Sequence, residues 1–303
     1  MFIGHKKQIK FLEDSLRVGK ITQSYIFSGP ENIGKLFLAK MFAATLIKNS
    51  HDILDNLGVV GENKNQDIEV LAPEIIEKKG VIKIRDIDVE KVRIAQKNLA
   101  LFPAVGKHRV LIIDDAHRLT ISAQNALLKT LEEPSSAAII ILVTHEESRI
   151  LRTIKSRCQK LFFNLVSLEE IKNGFRDEVE GSFLEKATIF SMGKPGEVKK
   201  IIDDIGNLKK KEEIANDLSR LRMLSVAEKL DLAQEYSKNL MQAREKLEFW
   251  IWMLRLQIFK NLSSKDNIVK NYIVVNKINQ ALIKIKNPSL NSRLVLENLF
   301  LSL

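Results

Sequence analysis

Cysteine is almost absent from this sequence of 303 residues, which contains only Cys158. A single cysteine excludes an internal disulfide and a zinc module built from several cysteines. The five histidines show no metal-binding spacing, since His108 and His117 lie nine residues apart and no HExxH motif occurs. The sequence therefore predicts no metal site and no bound zinc.

Long apolar runs are also missing. No stretch approaches the ~18 consecutive apolar residues of a membrane-spanning helix, and residues 1–14 are charged too early for a signal peptide. With 45% hydrophobic and 28% charged residues, the composition is typical of a folded chain. These features predict a cytoplasmic protein with no membrane partner.

The formal net charge of +10 favours polyanions, because basic side chains release the counterions of nucleic acids. The lysines are dispersed along the chain, however, and many lysine-rich proteins bind no nucleic acid. Charge by itself therefore identifies no ligand.

The first half of the sequence alternates short apolar strands with helical segments. Strands are predicted at residues 24–28, 110–113 and 138–143, and helices at 35–47, 89–100 and 119–131. Such alternation indicates a parallel sheet covered by helices on both faces. The predicted fold class is α/β.

After Phe163 only helical patterns follow. Ser167 and Glu170 have the spacing of a capping box, residues 191–196 predict a turn, and the basic stretch 207–211 is interpreted as a linker. Trp250 and Trp252 stand among aliphatic residues at helical spacing. We expect them in a core or a subunit interface rather than stacked on nucleic acid.

A glycine loop follows the first predicted strand, with the sequence GPENIGK at residues 29–35. Gly29 and Gly34 allow the tight turn that presents backbone N–H groups to phosphates, and Lys35 would reach the β- and γ-phosphates. Leu36 stands where such loops carry the Ser or Thr that binds Mg²⁺. The loop predicts ATP or ADP binding with weakened hydrolysis. The alternative is a simple strand-to-helix turn.

Polar residues end two of the buried strands. Asp114 and Asp115 follow residues 110–113, where a P-loop enzyme places its metal-holding acid and, usually, a catalytic Glu. Asp115 is one methylene shorter than Glu and is also a candidate helix cap. Thr144 follows the strand at 138–143 and either senses a γ-phosphate or forms a turn.

Arg157 lies in the segment TIKSRC at residues 153–158. An arginine on a loop can stabilise the charge on a phosphoryl group bound to a neighbouring subunit, and its planar fork suits phosphate. The alternative is an ordinary surface ion pair. Cys158 has no recognisable partner base, so we expect a small buried residue rather than a nucleophile.

Several segments together resemble the clamp-loader subunits of bacterial DNA polymerase III, which belong to the AAA+ class. These segments are IGH (3–5), GKITQSYIFSGPENIGK (19–35), IKIRDI (82–87), HRVLIIDDAHRLTISAQNALLKTLEEP (108–134), TIKSRCQ (153–159) and NPSLNSRLVLENL (287–299). The similarity is dense over the first half and patchy beyond it. The pairing of LLKTLEEP with SRC is its most specific part, and the delta-prime subfamily is the most similar.

The resemblance implies a RecA-like nucleotide domain at residues 1–165, a helical lid at 166–206 and an all-α collar at 207–303. Such subunits form a ring that opens the sliding clamp and places it on primed-template DNA. The implied partners are the gamma/tau ATPase subunits and the delta subunit. Arg157 matches the arginine that a non-hydrolysing subunit gives to a neighbour. Lys35, Asp114 and Thr144 match positions of a vestigial ATP site.

Three residues differ from the pattern of the ATPase subunits and indicate which type of clamp-loader subunit the sequence resembles. Leu36 lacks the metal hydroxyl, Asp115 replaces Glu, and Gly196 stands where ATPase subunits carry a lid arginine. The long C-terminal extension of the gamma/tau type is also expected to be absent. The cysteine-rich insertion of many relatives is replaced by residues 51–65, which contain no cysteine. The preferred interpretation is a subunit without intrinsic ATPase activity, within the DNA-directed DNA polymerase holoenzyme. The alternatives are a gamma/tau-like ATPase and a free-standing nucleotide-dependent DNA-binding protein.

Overall fold

The structure is a computed structural model that describes residues 2–56, 65–78, 81–179, 181–221, 223–260, 265–287 and 289–303. The chain forms two compact units, Met1–Glu197 and Val198–Leu303. Among the described residues, no helix is both long enough and apolar enough to span a membrane.

The described residues of the first unit form seven strands: β1 (Ser24–Ser28), β2 (Ile68–Leu71), β3 (Glu74–Lys78), β4 (Val81–Arg85), β5 (Arg109–Ile113), β6 (Ala138–Thr144) and β7 (Gln159–Phe162). Five of them form one parallel sheet in the order β2-β5-β6-β1-β7. Strands β3 and β4 pair separately as an antiparallel ribbon. The predicted parallel α/β sheet is confirmed.

The helices of the first unit are α1 (Lys6–Val18), α2 (Lys35–Lys48), α3 (Val89–Leu99), α4 (Ile121–Glu132), α5 (Arg152–Lys155), α6 (Leu168–Gly174) and α7 (Gly181–Phe190). Helix α4 begins later than predicted because the Thr120 side chain accepts a hydrogen bond from the backbone N–H of Ala123 and caps the helix. Ser167 caps α6 in the same way, accepting from the N–H of Glu170, as predicted.

Both faces of the sheet are covered because alternate residues of each strand point to opposite sides. On one face, Phe27 and Ile141 belong to a core with Phe42 of α2. On the other face, Ile26 and Ile140 belong to a second core that includes residues of α3 and α4. The central strands are therefore buried throughout, and this fixes the positions of the loops at their carboxyl ends.

The boundary between the units lies within helix α8 (Pro195–Asp203). The second unit continues with the helices α9 (Ile205–Leu221), α10 (Val226–Lys238), α11 (Leu240–Lys260), α12 (Lys265–Ile285) and α13 (Ser292–Leu301). Its described residues contain no strand, which confirms the predicted helical C-terminal region. The predicted linker at 207–211 is wrong, because these residues lie inside α9. Lysine is a good helix former, and Leu208 is buried while Lys209 and Lys210 remain exposed.

Trp250 is fully buried in the second unit. Its indole Nε1 donates a hydrogen bond to the carbonyl of Ile214 at 2.7 Å, and its ring packs near Tyr236 and Phe300. The predicted core role of Trp250 is confirmed, and Trp252 is half-buried. The boundary between the compact units falls inside the predicted lid, so the division at residues 165 and 206 stays a prediction.

Candidate functional site

The glycine loop lies between β1 and α2, as the sequence predicted. Gly34 adopts a φ of 96°, a left-handed conformation that favours glycine, and directly precedes α2. The Lys35 ammonium is buried and donates hydrogen bonds to the carbonyls of Gly29, at 2.8 Å, and Pro30. Burial lowers the pKa of Lys35 to about 8, opposed by Asp114 and Asp115. The lysine is therefore held inside the loop beside the two acids.

Leu36 follows Lys35 in the first turn of α2 and is partly buried. Its side chain packs against the hydrophobic core beneath the helix. The position that carries a magnesium-binding hydroxyl in hydrolysing P-loops is thus used for apolar packing.

Asp114, Asp115 and Thr144 meet at the carboxyl ends of the neighbouring strands β5 and β6. Desolvation and the charge of Asp115 raise the pKa of Asp114. The Thr144 hydroxyl is buried and accepts a hydrogen bond from the N–H of Glu146 at 3.1 Å. The Thr144 carbonyl accepts from the N–H of Gly29 at 3.3 Å, which connects β6 to the glycine loop.

Two histidines surround Asp115, an arrangement that the sequence analysis missed. Oδ1 of Asp115 lies 3.4 Å from Nδ1 of His145 and 4.0 Å from Nδ1 of His117. The hydrogen bond with His145 lowers the pKa of Asp115, while burial lowers the pKa of His117 to about 4. His145 is distant from Asp115 and His117 in sequence, and the pairing of β5 with β6 brings it to them. Asp115 is therefore engaged by its own chain.

The start of α8 packs directly on the glycine loop. The N–H of Gly196 donates to the carbonyl of Asn32 at 2.8 Å, and Asn32 Nδ2 donates to Oε1 of Glu197 at 2.9 Å. A Cβ atom at Gly196 would lie 2.7 Å from that carbonyl oxygen. This position, which carries an arginine in the ATPase subunits of the family that the sequence resembles, leaves no room here for a side chain.

Arg157 is exposed and follows the short helix α5. Its Nη2 atom forms an ion pair with Oε1 of Glu132 at 2.6 Å, and Nη1 donates to the carbonyl of Thr153 at 2.8 Å. These contacts lie apart from the glycine loop, because Arg157 precedes β7 whereas the loop follows β1, and these two strands are parallel neighbours. The surface ion pair expected as the alternative is therefore present, and it leaves the arginine accessible.

Cys158 is half-buried against the core that includes α3 and α4. Burial raises the pKa of its thiol to about 12, opposed by Lys160. Because the thiolate is the reactive form, this environment does not support a nucleophilic role.

A glycine loop between a buried strand and a helix, with two acids after another parallel strand of the same sheet, defines the class of P-loop α/β domains. A protein-family profile described as "DNA polymerase III, delta subunit" matches residues 4–167. That span is more than half of the chain, and the chain belongs to this family.

Two curated relatives show similar degrees of identity. DNA polymerase III subunit tau of Bacillus subtilis is 34% identical over 188 residues, covering 60% of this chain and 32% of the relative. DNA polymerase III subunit delta' of Pseudomonas aeruginosa is 33% identical over 183 residues, covering 57% and 53%. The matches thus span between a third and about half of the relatives' own length.

Among solved structures, a DNA polymerase III gamma-subunit-related protein of Thermotoga maritima is 19% identical to the chain. The comparison covers 96% of this chain and 97% of that protein, with a TM-score of 0.44.

Proposed function

We propose that the chain is a delta-prime-like subunit of the DNA polymerase III clamp loader, which does not hydrolyse ATP and donates Arg157 to the ATP site of a neighbouring ATPase subunit. Membership of the family supports a role in this complex. The observation that carries the finer proposal is a contrast within one domain. The chain's own phosphate site lacks a metal hydroxyl at Leu36, whereas Arg157 is accessible outside that site.

Phosphoryl transfer depends on neutralising the charge that develops on the phosphate oxygens, and Mg²⁺ does much of this work. Leu36 provides no oxygen ligand for the metal. Asp115 is shorter than the usual Glu and interacts with His145, so it is poorly placed to activate water. Gly196 packs against Asn32 and supplies no lid cation. Three separate requirements for turnover are therefore unmet.

The loop nevertheless retains groups that suit a nucleotide. Its backbone N–H groups and the Lys35 ammonium match the negative charge of phosphates, and Asp114 and Thr144 lie at the adjacent strand ends. We propose that Gly29, Gly34 and Lys35 hold ATP or ADP without hydrolysis, with Asp114, Asp115 and Thr144 as vestigial members of the site.

Arg157 has the chemistry of a residue that acts in trans. A guanidinium presents a fixed fork of donors that matches phosphate oxygens, and such an arginine contributes roughly 10³–10⁵ in rate in other phosphoryl-transfer systems. The side chain is 35% exposed, and the contacts with Glu132 and Thr153 use only part of its five N–H donors. The remaining donors can bind a neighbouring nucleotide while Glu132 holds the guanidinium in position.

The partners follow from this proposal. They are the gamma/tau ATPase subunits and the delta subunit, with the sliding clamp and primed-template DNA engaged by the assembled complex. The helical region 207–303 forms the collar of the ring, and the location is cytoplasmic.

A gamma/tau-like ATPase remains the alternative function. It is favoured by the similarity to the Bacillus tau subunit, whose identity to this chain differs from that of the Pseudomonas delta' subunit by one percentage point. Sequence identity therefore does not distinguish the two roles. The residues of the site have to distinguish them.

The deciding experiment measures ATP hydrolysis by a loader reconstituted with its ATPase subunits, the delta subunit, clamp and primed DNA. We expect the isolated chain to release no phosphate and Arg157→Ala to slow the complex severalfold or more. Arg152→Ala changes an exposed arginine five residues earlier, at the start of α5; it is the matched control and should leave the rate unchanged. Normal turnover with Arg157→Ala would reject the trans arginine. Hydrolysis by the isolated chain would establish the ATPase alternative.

A further inference from the structure

Three metal-ligating side chains converge beside the glycine loop. Asp115, His117 and His145 each present one ligand atom, and these atoms all lie within 4.8 Å of one another. The two distances from Asp115 Oδ1 to the histidine Nδ1 atoms are 3.4 and 4.0 Å. Two ligands on a tetrahedral zinc lie about 3.3 Å apart, given zinc–ligand distances of about 2.0–2.1 Å. Only small side-chain movements separate this cluster from a coordination shell.

The backbone positions all three ligands. Asp115 adopts a left-handed conformation with a φ of 46° directly after the Asp114 that follows β5, and the single 3₁₀ turn Ala116–Arg118 carries His117 inward. His145 follows Thr144, the last residue of β6. Since β5 and β6 are neighbours in the sheet, the segments that follow these two strands bring the ligands together.

The three side chains of the cluster differ in burial, so that one is inside the protein and two reach its surface. The side chain of His117 is 2% exposed, while those of His145 and Asp115 are 28% and 34% exposed. One ligand is therefore fixed in the interior and two border the solvent. The exposed parts of His145 and Asp115 give an ion access from solvent, and we expect water to complete its coordination.

We propose that Asp115, His117 and His145 bind a late first-row divalent metal ion, with zinc as the expected ion. Two imidazoles and one carboxylate suit such ions, whereas Mg²⁺ prefers oxygen ligands in octahedral geometry. The site goes beyond the proposed clamp-loader role and departs from the expectation of no metal. Sequence spacing alone does not reveal the site, because His117 follows β5 and His145 follows β6.

Neighbouring groups modulate this site. The Thr144 hydroxyl lies 3.4 Å from Nδ1 of His117, the atom that also faces Asp115, so an ion bound at this nitrogen must displace that contact. Arg118 interacts with both Asp115 and His117, and Lys35 interacts with Asp115. Their positive charges oppose a bound cation, so we expect weaker binding than in a closed structural zinc site.

The test uses the full-length chain without an affinity tag, stripped of metal and dialysed against Zn²⁺ alone or Co²⁺ alone. We expect one equivalent of Zn²⁺ per chain and the visible absorption of four- or five-coordinate Co²⁺. An excess of Mg²⁺ should not displace either ion. Failure of the wild-type chain to take up Zn²⁺, or displacement by Mg²⁺, would overturn the proposal without affecting the clamp-loader assignment.

Variants locate the ion. His145→Ala and Asp115→Asn should each weaken Zn²⁺ binding by about tenfold or more and abolish the Co²⁺ spectrum. Both positions border the solvent, and asparagine also accepts the left-handed backbone of residue 115, so the fold should survive. His51→Ala removes an exposed histidine elsewhere and should change nothing. Unchanged uptake by His145→Ala and Asp115→Asn would also reject the site.

Discussion

The guanidinium of Arg157 is paired with the carboxylate of Glu132, with 2.6 Å between Nη2 and Oε1. Glu132 is the last residue of α4 and belongs to the segment NALLKTLEEP, while Arg157 is the centre of SRC. The two most specific motifs of the sequence are thus in physical contact. Together with the bond from Nη1 to the carbonyl of Thr153, this pair fixes the direction of the guanidinium.

We predict that Glu132→Gln impairs the assembled loader without unfolding the chain. An exposed ion pair contributes only about 0–1 kcal/mol to stability, so thermal unfolding should hardly change. The guanidinium loses its charged anchor, and a misaligned arginine stabilises a phosphoryl group poorly. ATP turnover by the reconstituted complex should fall, although less than with Arg157→Ala.

The neighbouring acid provides the control. Glu133→Gln makes the same change of charge one residue away, at an exposed position after α4. It should leave turnover at the wild-type rate. Equal effects of the two substitutions would mean that net charge, rather than the contact with Arg157, is responsible.

Much of the fold was predictable because its signals are local. The strand at Ser24–Ser28 was predicted with its observed bounds, since a short apolar run before a glycine loop has few other interpretations. Ser167 was recognised as a cap from its spacing to Glu170. The linker at 207–211 was predicted wrongly because polarity was given more weight than helix propensity, and Leu208 shows which face is buried.

The contacts that define the candidate site were not predictable from spacing. Asp115 meets His145 only because β5 pairs with β6, and Gly196 meets Asn32 only because α8 packs on the glycine loop. Each depends on the packing of segments distant in sequence. The missing hydroxyl at Leu36, in contrast, was predictable from the sequence, because it depends only on the position of Leu36 in the glycine-loop motif.

Restoring the hydroxyl alone should not create an ATPase. We predict that Leu36→Thr releases no phosphate as an isolated chain, because Asp115 stays engaged with His145 and Gly196 still supplies no cation. The loss of apolar packing should destabilise the chain by about 1–2 kcal/mol. Phosphate release and thermal unfolding measure the two effects.

Leu36→Met separates packing from chemistry, since it conserves volume approximately and adds no oxygen. It should be nearly as stable as the wild type and equally inactive. Appreciable turnover by Leu36→Thr but not by Leu36→Met would show that the missing hydroxyl is the main defect of the site.

The contact between α8 and the glycine loop predicts a cost for any side chain at residue 196. The added methyl group of Gly196→Ala would lie 2.7 Å from the Asn32 carbonyl oxygen, and relieving this overlap should cost about 1–3 kcal/mol. The gain from replacing a helical glycine is only about 0.4–1 kcal/mol. The melting temperature should therefore fall.

Gly206→Ala is the matched control, because Gly206 is also the second residue of its helix. Its nearest obstacle is the flexible carboxylate of Asp204, at 3.0 Å. This substitution should be neutral or slightly stabilising. A melting temperature that Gly196→Ala leaves unchanged would contradict the close packing inferred between residues 32 and 196.

The environment of Cys158 predicts slow alkylation of the native protein. Burial raises its pKa from 9.0 to about 12, so at pH 8 the thiolate fraction falls from about one tenth to about 10⁻⁴. Iodoacetamide should therefore react about a thousandfold more slowly with the native chain than with the same chain in urea. Folding favours the neutral thiol, so its contribution to stability is complete below pH 9 and is lost as the pH rises towards 12. Native and unfolded rates within tenfold of each other would place the thiol in solvent instead.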